Sequence, residues 1–255
     1  MSTLRLDRFI SEALGVSRQD AQRLCRSGRV RLASGGVLRR AADHIAADAE
    51  VLVDERPLPK RGPVVLIMHK PAGFISATTD AHHRTILDLV PPELRRAGLA
   101  PAGRLDKDTT GLIILTDDGA LNHRLTHPRR HLPKTYEATL AAPLPSEAID
   151  AVRAGLTLGD GTALKPGDLT LLAPLPDGTP QVRLVIHEGR YHQVKRMMAA
   201  LGSAVLTLHR VAVGGLCLPG DLQPGACRPL RDDERALLLA EPGVPTADAS
   251  SERSG

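Results

Sequence analysis

The densest group of chemistry-bearing residues lies in 103–119, GRLDKDTTGLIILTDDG, where Asp106, Asp108, Thr109 and Thr110 crowd into five positions. Two rival chemistries suit those residue types. Asp106, Asp108 and Thr110 spell the Asp-x-Asp-x-Thr pattern of a Mg²⁺-dependent phosphotransferase, whose first carboxylate attacks phosphorus. Such carboxylates sit at the carboxyl end of a buried strand, so an apolar run should precede them. Here PAGRL precedes, and the apolar run LIIL follows at 112–115. The same residues begin like a calcium loop, with Asp106, Asp108, Thr110 and Gly111, but the twelfth position is Asp117 rather than Glu and no flanking helices are evident. The plainest alternative is a turn whose Asp and Thr side chains bond the local backbone.

The elements around this segment follow from spacing. Leu6, Phe9, Ile10 and Leu14 have helical periodicity closed by Gly15; Ser17 is an N-cap for a second helix over 18–27 that ends at Gly28. Short strands are expected at 30–32 and 51–54. Residues 1–55 thus read as a small α/β unit, 56–63 (three prolines and a glycine in ERPLPKRGP with its flanking Glu55) as a linker, 64–240 as a second domain, and the polar 241–255 as a disordered tail. Within 64–240 the pattern predicts strands over 64–68, 112–116, 135–140, 169–172, 182–186 and 204–208. It predicts helices over 87–96, 120–126, 146–154, 191–201 and 232–239. Because the two types do not alternate strictly, an α+β fold with a mixed, largely antiparallel sheet fits better than a βαβ series.

Composition narrows the class. The 255 residues are 42% hydrophobic and 24% charged, which is globular and excludes collagen, coiled coil and wholesale disorder. No apolar run approaches the ~20 residues of a membrane helix, and no signal-like stretch follows MSTLRLDRF, so a cytoplasmic protein is expected. Cys25, Cys217 and Cys227 are odd in number and lack zinc-knuckle spacing, which predicts reduced structural thiols. The net charge is only +4, but six of the 33 basic residues are lysine and the rest arginine, the side chain that grips phosphates bidentately. Arg18, Arg23, Arg26, Arg29 and Arg31 form a stripe suited to a phosphate backbone, against Asp20 alone; a solvated helix face is the bland reading. A second basic run, Arg124, Arg129, Arg130 and Lys134, carries no acid. Histidines 123, 127 and 131 share helical spacing within it, but Pro128 breaks the alignment a metal would need, and no metal is expected.

The segment at 103–119 resembles the catalytic motif of the RluA/RsuA branch of RNA pseudouridine synthases, G/H-R-L-D-x-x-T-x-G. His69-Lys70-Pro71-Ala72-Gly73 is similar to the N-K-P-x-G segment of that family, with His for Asn. Lys134-Thr135-Tyr136 resembles its K-x-Y motif, and EGRYHQVKRM at 188–197 its third motif. Residues 4–54 resemble an S4-type RNA-binding module. The spelling of the third motif, with Leu208-His209-Arg210 and Gly214-Gly215 after it, resembles the RsuA type, which acts on small-subunit ribosomal RNA. Large-subunit ribosomal RNA is the alternative; a non-catalytic S4 RNA-binding protein and the phosphotransferase are more remote.

What this resemblance implies is an isomerase without cofactor. The reaction breaks the C1′–N1 bond, turns the uracil and rejoins it through C5, so it needs an ionised carboxylate near C1′. The resemblance makes Asp106 that residue and Lys195 its cationic partner; an ordinary solvated helix lysine is the competing reading. Tyr136 is implied to stack on the target base, against a buried core tyrosine as the alternative. Arg104 is implied to fill the gap left by the extruded uridine. Arg190 is suited to hold a flanking phosphate, with an idle surface arginine as the alternative. Asp108 is expected to be structural or RNA-adjacent. Expected partners are ribosomal RNA or a small-subunit assembly intermediate, with no membrane and the chain as a monomer.

Overall fold

The computed structural model describes residues 3–46, 49–59, 62–96, 98–127 and 132–240. The chain divides into two compact units, one formed by residues up to Val64 together with Pro92–Leu99, the other by Val65–Pro91 and the residues from Ala100 on.

In the first unit β1 (Thr3–Arg5) runs into α1 (Leu6–Leu14) and α2 (Arg18–Arg26), followed by β2 (Val30–Leu32), β3 (His44–Ala46), β4 (Val51–Val53) and β5 (Arg56–Pro57). Leu6, Phe9 and Ile10 are buried on one face of α1, and Gly15 closes that helix in the left-handed region. Ser17 caps α2 by accepting from the Asp20 N–H. The helices pack Leu6, Ile10, Ala21 and Cys25 against Val30 and Val51. Two small antiparallel sheets, β1–β3 and β2–β4–β5, complete the unit.

Its far end corrects the expected linker. Arg56–Pro57 pairs with β4, and Leu58 is buried with its N–H on Val51 O at 2.8 Å. The proline is tolerated because β5 is an edge strand. The unit also takes in Pro92–Leu99, which the sequence reading assigns to the second domain; Arg96 Nη1 donates to Gly62 O at 2.8 Å.

The second unit contains β6 (Val65–Lys70), β7 (Ala100–Pro101), β8 (Thr110–Thr116), α3 (Gly119–Thr126), β9 (Lys134–Leu140), α4 (Glu147–Ala154), β10 (Asp168–Leu172), β11 (Gln181–Ile186), α5 (Gln193–Ala200), β12 (Val205–Val213), β13 (Leu216–Cys217), β14 (Cys227–Pro229) and α6 (Asp232–Leu238). Its sheet has the order β10-β11-β9-β12-β8-β6-β14, with β7 added beside β8 and β13 beside β12. The β8–β12 pairing is parallel and the others are antiparallel, which is the mixed α+β sheet that the sequence predicts. The LIIL run of β8 is wholly buried because this strand is central and covered on both faces. Strand β11 alternates half-buried and buried residues.

Three expectations shift. The helix expected over 87–96 is two 3₁₀ turns, Ile86–Leu89 and Pro92–Leu94, because Pro91 and Pro92 remove consecutive N–H donors and push the preceding residues out of helical geometry. The strand expected over 204–208 continues to Val213, since His209 and Arg210 interrupt the apolar pattern but still pair with Glu137 and Tyr136, with a register shift after Arg210. Cys25 is buried, but Cys217 is exposed and Cys227 half-buried, and none of the three forms a disulfide. The tail at 241–255, Lys60 and Arg61 of the expected linker, and Arg129 and Arg130 lie outside the described residues. Among the described residues, no helix is long and apolar enough to cross a membrane.

Candidate active site

Asp106 lies in the loop between β7 and β8, before the apolar strand as the inverted pattern requires. Backbone contacts hold that loop. Ser76 Oγ donates to Leu105 O at 2.8 Å and accepts from Leu105 N at 2.9 Å. The Gly73 N–H donates to Lys107 O at 2.8 Å, and the Thr109 N–H to Asp106 O at 3.1 Å. Lys70, at the end of β6, is fully buried and spends its ammonium on three carbonyls: Pro71 O at 3.1 Å, Lys107 O at 3.3 Å and Thr109 O at 2.7 Å. Burial pushes its pKa down to about 8, against the pull of the Asp108 and Asp106 carboxylates.

The exit from the loop is fixed by a close approach. Gly111 has φ +107°, and a Cβ there would stand 2.3 Å from Arg210 O. Only glycine lets β8 meet β12 at the Arg210–Gly111 pairing. Beside it, His209 Nδ1 meets Thr110 Oγ1 at 2.8 Å. His69, the departure from the Asn of the family motif, bonds Leu222 O through Nδ1 at 2.8 Å and presents its ring edge-on to His209.

Opposite the loop stands the start of α5. Lys195 Nζ lies 3.7 Å from Asp106 Oδ2 and 2.7 Å from each carboxylate oxygen of Asp108. The lysine is therefore shared, and its stronger hold is on Asp108, whose carboxyl it keeps below the usual range. Asp108 thus anchors Lys195 beside Asp106, a role the sequence reading leaves unspecified. His192 Nε2 lies 3.5 Å from Asp106 Oδ1, a contact that becomes an ion pair when the imidazole is protonated. This histidine is absent from the sequence-based set although it sits inside the third motif. Its reach comes from a left-handed backbone, φ +48°, that spacing does not reveal.

Asp106 and His192 line a cleft open to solvent. Tyr136, Ile186, Val194 and Leu208 supply apolar walls, Asp106 and His192 the polar groups, and Arg104 and Arg190 exposed cationic ones. Tyr136 is buried in β9 yet faces this cleft, so the core reading and the pocket reading describe the same side chain. Arg190 is not free: its Nε lies 3.2 Å from the buried Glu188 carboxylate.

The basic residues are placed less uniformly than the sequence predicts. Lys134 turns inward, donates to Leu132 O at 2.7 Å, and has its pKa pushed down to about 8 by burial and by the Arg210 charge. It is withdrawn from the basic run, which leaves Arg124 exposed at the end of α3. In the first unit Arg18, Arg23, Arg26 and Arg29 are exposed and Arg31 is half-buried. The stripe has more acid against it than Asp20, because Arg29 pairs with Asp54 and Arg31 with Glu55 at 2.8 Å. These two carboxylates come from the turn after β4, distant in sequence from α2.

The chain belongs to the RNA pseudouridylate synthase family, whose profile covers residues 64–200. Its enzymatic class is therefore that of an isomerase acting on RNA. It is 43% identical over 238 residues to the ribosomal small subunit pseudouridine synthase A of Escherichia coli (strain K12), spanning 92% of this chain and all of that protein. The Pseudomonas aeruginosa protein of the same name is 43% identical over 234 residues, covering 91% of this chain and 98% of its own. A solved structure described as a pseudouridylate synthase superposes with a TM-score of 0.62 at 37% identity, over 92% of this chain and 99% of that one.

Proposed function

We propose that the chain converts one uridine of small-subunit ribosomal RNA, naked or in an assembly intermediate, to pseudouridine in the cytoplasm, with Asp106 facing C1′. The observation that carries the chemistry is a half-buried carboxylate with two nitrogen groups within 4 Å, in a cleft walled by Tyr136, Ile186, Val194 and Leu208 and edged by Arg104 and Arg190. The choice of RNA rests on the similarity to ribosomal small subunit pseudouridine synthases.

In this reading the uridine leaves its helix and enters the cleft with its base on Tyr136. The Asp106 carboxylate stabilises positive charge at C1′, by attack or by proximity, while the C1′–N1 bond breaks and its electrons pass to the uracil. The uracil turns, C5 bonds to C1′, the C5 proton departs and N1 is protonated, so composition is unchanged. Lys195 and His192 hold the carboxylate in place from the opposite side. Arg104 occupies the place of the extruded nucleotide, and Arg190 meets a flanking phosphate.

Residues 1–55 act as an S4-type RNA-binding unit, and 64–240 as the synthase domain. Arg18, Arg23 and Arg26 contact the RNA backbone, while Arg29 and Arg31 exchange their carboxylate partners for phosphates. Arg124, with Arg129 and Arg130, provides a second contact. Exposed ion pairs of this kind contribute little to stability, so the exchange costs little. The test is to map pseudouridines in ribosomal RNA from cells with and without the protein. The expected result is one small-subunit pseudouridine lost with the protein and restored by its gene; a lost site in large-subunit RNA, or none, overturns the substrate assignment.

A further inference from the structure

Aromatic residues make up 2% of the chain, and of its two tyrosines one lines the cleft while the other, Tyr191, is 77% exposed. Tyr191 is not loose on the surface. Its ring lies on that of His192, with centroids 3.8 Å apart and planes 17° from parallel. The inner ring of this pair is the one whose Nε2 lies 3.5 Å from Asp106. The turn that carries both is locked. Buried Glu188 accepts from Lys165 N at 3.0 Å, Gln193 Nε2 at 3.1 Å and Arg190 Nε at 3.2 Å. Gln193 Oε1 accepts in turn from Arg190 N at 2.9 Å. His192 is held at φ +48°, a conformation disfavoured for a residue with a side chain and retained where the surroundings over-determine it.

We propose that Tyr191 is the stacking platform for the nucleobase adjacent to the target uridine, a subsite distinct from the cleft that takes the uridine itself. Extruding a nucleotide breaks its stacking on both neighbours, which an inserted arginine restores only in part, and unstacked bases in RNA are taken up on aromatic faces. The ring spacing of the His192–Tyr191 pair is close to the ~3.4 Å rise of stacked nucleotides. A base on the open face of Tyr191 therefore extends an existing stack by one step, beginning beside the aspartate. Because the turn is locked, little ordering is required on binding. A flat, sequence-tolerant surface recognises any base, purines most strongly by area, and acts on substrate capture rather than on bond breaking.

The inference rests on RNA as substrate and not on which ribosomal subunit supplies it. The uridine converted by the unaltered enzyme is first located in ribosomal RNA from cells lacking the protein. KM and kcat are then measured on RNA spanning that uridine. Tyr191→Ala should raise KM roughly tenfold with kcat nearly unchanged, and Tyr191→Trp and Tyr191→Phe should stay near the native KM. In RNA with an abasic nucleotide on the 5′ or the 3′ side of the target, the alanine penalty should vanish for one of the two. An unchanged KM for Tyr191→Ala overturns the proposal. So does a penalty that persists in both abasic RNAs, because Tyr191 would then only support His192. A target in large-subunit RNA would remove the substrate assignment while leaving this comparison intact.

Discussion

Lys70→Met separates stability from activity. The substitution keeps the side-chain stem and removes the charge with its donors to Pro71 O, Lys107 O and Thr109 O. A pKa lowered from 10.5 to about 8 corresponds to roughly 3 kcal/mol spent on keeping the ammonium charged in the interior, and the methionine relieves it. Against that, each carbonyl left dry costs about 1–3 kcal/mol. Lys107 O keeps the Gly73 N–H, so two carbonyls are left dry; their cost of about 2–6 kcal/mol against the roughly 3 relieved puts the expected change in urea unfolding between a gain of about 1 and a loss of about 3 kcal/mol. Activity should fall much further, because two of the three carbonyls belong to the loop carrying Asp106 and a displacement of about 1 Å at a reacting group costs on the order of 100-fold. Tritium release from RNA labelled at uridine C5 measures the rate. The pH dependence adds a signature. Above about 8 the amine keeps two donors for three acceptors, so the unaltered enzyme should lose activity there and the methionine variant should lack that limb. Stability runs the other way. The folded pKa lies below that of an unfolded lysine, so the burial cost is present in full below about 8 and is relieved as pH climbs towards 10.5. A variant that turns over at the native rate, or whose loss of rate tracks its unfolded fraction, refutes the positioning role.

Gly111→Ala should destabilise the second unit by about 3 kcal/mol or more and abolish turnover, since its Cβ would stand 2.3 Å from a backbone oxygen at φ +107°; a melting curve near native would show that β8 and β12 can part without cost. Replacing Arg23 and Arg26 together with Ala should weaken RNA binding and reduce the slope of log affinity against log salt by roughly 1.5. An unchanged slope would take the stripe out of the RNA interface.

The parts of this molecule readable from the sequence are those whose cause is local. Ser17 and Gly15 bracket helices because capping and left-handed closure are single-residue properties. Asp106 is readable as a loop residue because the apolar run lies after it. The parts that escape depend on partners distant in the chain. Lys134 and Lys195 look equally solvated in sequence, yet Lys134 is turned inward onto the Leu132 carbonyl while Lys195 spans two carboxylates. Lys70 reads as one letter of a motif, and its function as a clamp depends on carbonyls 37 and 39 residues away. His192 lies within a segment already singled out, but its direction is set by a backbone angle. Arg29 and Arg31 lose part of their apparent charge to a turn that follows a strand they do not belong to.

The most direct measurement is single-turnover pseudouridine formation by Asp106→Asn beside its affinity for the same RNA. The substitution keeps size and hydrogen-bonding capacity and removes the negative charge, and Asp108 still anchors Lys195. The account predicts affinity within a few-fold of native and no detectable product. Product at a rate near that of the unaltered enzyme would contradict it.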